Sequence, residues 1–93
     1  MFHYSTLSNE IDKLQIEYKK FSSEFEKYIV NFNSCSAIKR KKFIVDQLFY
    51  DLQNHTRIHE EQLEFKVNNA RDKLEQLNIE FLKGMLNNGF FVK

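Results

Sequence analysis

The chain lacks proline and tryptophan altogether, and it has one cysteine and only two glycines, Gly84 and Gly89, among its 93 residues. Without proline, nothing obligatorily interrupts a helix before residue 84. The lone Cys35 cannot form an internal disulfide, and a chain without a cysteine framework fits a reducing compartment, so a cytoplasmic location is expected. No stretch approaches the run of about 18 apolar residues that a membrane span needs. The first residues also lack a basic segment leading into an uninterrupted apolar one, so neither a standard secretory signal nor a membrane anchor is expected.

Charge of one sign is missing too. Fourteen basic residues face 13 acidic ones, so no global field marks the chain for nucleic acid or a membrane surface, and only local charge can do so. What is abundant is aromatic: ten Phe and four Tyr carry much of a 42% apolar fraction. These are side chains that bury a large area each, in one domain of a size at which a single core supplies only a few kcal/mol. A partner or a second copy is a natural supplement.

From Leu7 the apolar residues run Leu7, Ile11, Leu14, Tyr18, Phe21, Phe25, Tyr28 and Phe32, alternating steps of four and three. This heptad seam predicts a helix over about 6–31, capped by Ser5 or Ser8, with Glu10 and Asp12 in its first turn where the helix dipole favours negative charge. Residues 32–36 collect Asn, Ser and Cys, whose short side chains favour a turn; Ser34 or Ser36 is then expected to cap the next helix.

A second seam follows. Val45, Leu48, Leu52, His59, Leu63, Val67, Ala70, Leu74, Leu77, Phe81 and Met85 keep helical spacing over about 37–87, with one shift of phase at residues 53–59. Gln53, Asn54, His55 and Thr56 form its one weak place, a candidate hinge at 53–56 with Thr56 as a candidate N-cap. The seams predict an all-α fold. Unbroken, the second helix would be roughly 75 Å long against about 40 Å for the first, giving an antiparallel helical hairpin with coiled-coil packing that self-associates to cover the remainder. Broken near Asn54, the chain forms a three-helix bundle. The unbroken hairpin is the preferred expectation.

A further apolar line, Phe43, Tyr50, Ile58, Phe65, Ile79 and Leu86, lies roughly opposite the second seam. Either neighbouring helices of the same chain cover it or another molecule does. Asn87, Asn88 and Gly89 have the composition of a helix C-cap, and the short tail 88–93 brings Phe90 and Phe91, which either fold back or dock into a partner. Phe43, Tyr50, Phe65, Phe90 and Phe91 are therefore the candidate protein-binding residues.

Lys39, Arg40, Lys41 and Lys42 form the densest run of like charge, near the start of a helix where the dipole opposes them. This basic cluster is the candidate recognition patch, for an acidic protein surface or for phosphate backbone. Four consecutive residues wrap around a helix and cannot all face one groove, so nucleic acid is the weaker match.

Chemistry is sparse. His55 and His59 share a helical face, but a metal site needs at least a third ligand, and the His-Glu-x-x-His order of zinc proteases is absent. His59 is expected to face a partner helix, and Cys35 to be a free thiol in an exposed turn. No Gly-rich phosphate loop and no nucleophile–base arrangement stands out, so neither an enzyme, nor a cofactor, nor a metal, nor a small-molecule substrate is expected. The sequence points to a non-catalytic protein-binding module, a small helical adaptor, chaperone or inhibitor that presents an aromatic helical face to another protein or to a copy of itself as a homodimer. A dimeric helical nucleic-acid regulator and a structural homo-oligomer are the alternatives.

Overall fold

The computed structural model of the chain describes residues 4–54 and 58–89. They form three helices, α1 (Tyr4–Ile29), α2 (Ser36–Leu52) and α3 (Glu60–Asn87), with no strand among the described residues. The all-α class stands, and of the two arrangements the seams allow, the chain takes the one with a break near Asn54. The preferred continuous helix over 37–87 is thereby corrected: α2 ends at Leu52, Gln53 and Asn54 form a turn, and α3 starts at Glu60.

The physical reason is length and burial. A helix of roughly 75 Å does not fit a molecule whose longest dimension is 47 Å. Folding back brings Leu63, Val67, Ala70 and Leu77 onto the core, each no more than 1% exposed. At roughly 1.5–3 kcal/mol for each large apolar side chain, this outweighs the approximately 2 kcal/mol of entropy lost in closing so short a connection.

The bundle runs up, down, up. Phe32, just past α1, stacks on Phe81 near the end of α3, so α1 and α3 are parallel. Tyr18 in mid-α1 stacks on Phe49 near the end of α2, with ring centroids 4.5 Å apart, and α2 is antiparallel to both. α3 is the common partner: it packs against α1 and α2, while α1 and α2 touch more thinly. At one end of the core Phe81 meets Phe21 edge-on at 5.5 Å and Phe25 at 5.4 Å, so two successive turns of α1 converge on one ring.

Both seams are buried or packed against the core, except His59. Ile29 and Phe49 are core residues outside the expected seams, at 5% and 1% exposure. Phe49 continues the Val45–Leu52 spacing beside Leu48; α2 needs a wider apolar stripe because it faces two helices.

The helix ends differ from expectation in detail. α1 begins at Tyr4, so Glu10 and Asp12 lie beyond its first turn, and Glu10 pairs with Arg71 of α3 instead. Cys35, not Ser34 or Ser36, occupies the N-cap of α2, without a side-chain cap bond, and its thiol is half-buried against the core rather than exposed in a turn. His59 is the N-cap of α3 and exposed, so it does not face a partner helix within the chain. At the other end of α3, Gly89 adopts φ 80, the left-handed conformation that closes a helix at low cost for glycine. Asn88 donates through its side-chain amide to the Gly84 carbonyl and accepts from the Asn33 N–H, tying the α1–α2 turn to the end of α3.

Candidate protein-binding surfaces

The basic cluster is divided by the helix that carries it. Lys42 points inward and is buried: its ammonium pairs with Asp46 one turn on and lies 5.3 Å from the Tyr18 ring centre and 5.5 Å from that of Phe25. Lys41 pairs with Glu80 of α3. Lys39, Arg40 and Lys41 are all exposed, and of these Lys41 lies on the side that faces α3. The reading of the four as one patch is therefore corrected to one buried cation and three exposed ones, of which Lys41 is paired with Glu80, because a 100° step per residue sends adjacent side chains to different neighbours.

Asp46 is the centre of a small polar cluster between α1 and α2. It accepts from both the Lys42 ammonium and the Tyr18 hydroxyl. Burial, and next the hydrogen bond to Asp46, pushes the Tyr18 phenol up to about 12, which keeps it a donor at every ordinary pH. This cluster joins α1 to α2 where their apolar contact is thin.

The aromatic line is also divided, because the helix that was to carry it breaks. Phe43 and Tyr50 share the outer face of α2 at 62% and 61% exposure, seven residues apart and so almost in line, with Lys39 and Arg40 one turn before Phe43. Phe65, 71% exposed, stands on α3 in a shallow depression with Glu61, Gln62 and Lys66. Ile58 packs against the core, whereas Ile79 and Leu86 are exposed. Phe90 and Phe91 lie outside the described residues, as do His55 and Thr56.

Sequence reasoning missed a wide concavity. Between α1 and α3, on the side that α2 does not cover, runs a groove of about 730 Å³. Its floor comes from the edges of seam residues, Leu14, Phe21 and Tyr28 on α1 and Leu74, Phe81 and Met85 on α3, and Leu82 forms part of its wall. Glu17, Glu24 and Glu75 stand on its rims with Lys20 and Arg71, and Arg71 is already paired with Glu10. The signal was in the spacing: Leu14, Phe21 and Tyr28 recur every seven residues, as do Glu17 and Glu24. A seam so regular can serve two grooves, one on either side of it.

Among the described residues no three His, Cys, Asp or Glu side chains are grouped as metal ligands, and no helix is long and apolar enough to cross a membrane. No protein-family model, curated protein or solved structure matches the chain.

Proposed function

We propose that the chain is a non-catalytic protein-binding module, in the manner of a small helical adaptor, chaperone or inhibitor, acting in the cytoplasm. The observation that carries this reading is the α1/α3 groove: apolar on its floor, polar on its rims and left open along a heptad-spaced pair of helices. Such a groove suits an amphipathic helix, whose apolar face would lie on Leu14, Phe21 and Leu74 while its charged edges met the rims. Exposed Phe43, Tyr50 and Phe65 add aromatic area of the kind that anchors interfaces. The nucleic-acid alternative draws less support, because Lys42 is buried and the exposed Lys41 is paired with Glu80, which divides the cluster.

The test is affinity capture from the native host with cross-linking, using the wild-type chain and a Glu24→Lys/Leu82→Lys variant as parallel baits. Both changed positions are exposed, so the variant keeps its helical circular dichroism. A protein held by the wild type and at least tenfold depleted on the variant is the expected result. Equal recovery on both baits, or recovery of nucleic acid alone, overturns the reading.

A further inference from the structure

The groove and the outer face of α2 are complementary in charge and in spacing, and from this we infer that the occupant of the groove is α2 of a second copy of the chain. This rests on the protein-binding reading and names its partner. The groove rims carry three carboxylates, Glu17, Glu24 and Glu75, against one unpaired cation, Lys20, since Arg71 is engaged with Glu10. The α2 ridge begins with the opposite charge: Lys39 and Arg40 stand one turn before Phe43, whereas Asp46, between the two rings, is already held by Lys42 and Tyr18, and Asp51 lies beyond Tyr50. Acidic rims around an apolar floor meet a ridge whose leading end is basic and whose crest is aromatic.

The spacing agrees. Phe43 and Tyr50 are seven residues apart, roughly 10.5 Å along the helix axis. The floor repeats at the same interval, Leu14 to Phe21 and Leu74 to Phe81, so two successive aromatic knobs meet two successive holes in one register. The incoming helix then completes a four-helix arrangement around α1 and α3. A groove-to-groove dimer is disfavoured by the same charges, because it sets three carboxylates of one copy against three of the other.

Geometry dictates the kind of assembly. The groove is lined by α1 and α3 alone, and α2 closes the other side of that pair, so ridge and groove face in opposite directions. A contact that joins two different patches on opposite sides is head-to-tail: each added copy leaves one ridge and one groove free, and growth continues unless a ring closes. The two aromatic anchors, 62% and 61% exposed, contribute roughly 200–300 Å² of the roughly 800 Å² per partner of a standard interface, which makes this a weak, concentration-dependent association.

Sedimentation velocity of the full chain tests it, with two variants that change only exposed positions. The ridge variant is Phe43→Ser/Tyr50→Ser and the groove variant is Glu24→Lys/Leu82→Lys. The wild type is expected to show a weight-average mass that climbs with concentration past that of a dimer, and the climb weakens as salt is raised. Each variant alone stays monomeric with unchanged helicity. Mixed one to one, they form a dimer and nothing larger, because each retains the surface the other has lost. A wild type that remains monomeric up to millimolar concentration, a variant that assembles as the wild type does, or a mixture that stays monomeric overturns the inference. If the wild type is monomeric while a host protein is still captured through the groove, the self-association falls and the protein-binding reading survives. If neither is seen, both fall.

Discussion

The α1–α3 pair has two sides made from the same kinds of residue, and they end differently. On one side α2 lies across the pair: Phe49 is 1% exposed, Lys42 is tucked beneath it, and the Tyr18–Asp46 bond fastens the edge. On the other side nothing from the described chain covers Leu82, and the apolar floor is reached through a channel walled by glutamates. A heptad seam thus builds two grooves, and one chain of this length supplies only one helix to fill them. The covered side holds the fold together, and the open side is where a cost in stability is smallest and an effect on binding greatest.

Substitutions that empty the core, under α2 or beneath the groove floor, should have the largest effect. Phe49→Ala is expected to cost about 3–5 kcal/mol and Leu74→Ala or Phe81→Ala about 2–5 kcal/mol, whereas Leu82→Ala on the open rim should stay within about 0.5 kcal/mol. Denaturant unfolding measures all four. A loss at Leu82 as great as that at Phe49 would erase the distinction between the two sides.

The lysines give a finer comparison within one helix. Lys42→Gln removes the cation that pairs with buried-side Asp46 and covers the Tyr18 and Phe25 rings, and a loss of about 1–3 kcal/mol is expected. Lys39→Gln with Arg40→Gln should leave the melting temperature unchanged or slightly higher, since these exposed cations stand near the positive end of the α2 dipole. Thermal unfolding of the two variants side by side decides it. Equal melting temperatures would mean that Lys42 is no more structural than its neighbours.

The smallest effect is titrational. Because the fold holds the Tyr18 phenol neutral up to about 12, against an ordinary value of 10.0, the stability linked to it is complete below pH 10 and is lost as the pH rises from about 10 to about 12. Absorbance in the tyrosinate band should show a component ionising late, and Tyr18→Phe should remove it. A titration that Tyr18→Phe leaves without loss of a late component would mean that the α1–α2 edge is open to solvent.

Much of the fold was legible in the residues. Alternating steps of three and four mark the buried face of α1 and α3 almost without error, because helical periodicity is a local property of the chain. The break was legible only as a choice, since Gln53, Asn54, His55 and Thr56 weaken a helix without ending it. What ends it is burial of Leu63 and Val67 against a helix some fifty residues earlier, which no local window contains. Phe49 was passed over because a single seam was sought on a helix that has two neighbours. The lysine cluster was read as one object because its members are adjacent in sequence, yet adjacency on a helix is divergence in space, and Lys42 is the member that turned inward. The α1/α3 groove escaped notice for the same reason: its floor consists of residues already counted as core.

The position of α3 has a consequence for the order in which the bundle can be assembled. It is the helix that both others pack against, and it is the last of the three to be synthesised. While a ribosome is still adding its residues, α1 and α2 have only their narrow mutual contact, with Tyr18, Asp46 and Lys42 across it and the rows of Phe21 and Phe25 lacking the Phe81 ring that closes them. The emerging chain therefore carries its aromatic residues uncovered until Glu60–Asn87 is made, and the bond from Asn33 to Asn88 is among the final ones available. Completion of the bundle thus waits on α3, and the apolar faces of α1 and α2 stay open to other nascent chains until it is made.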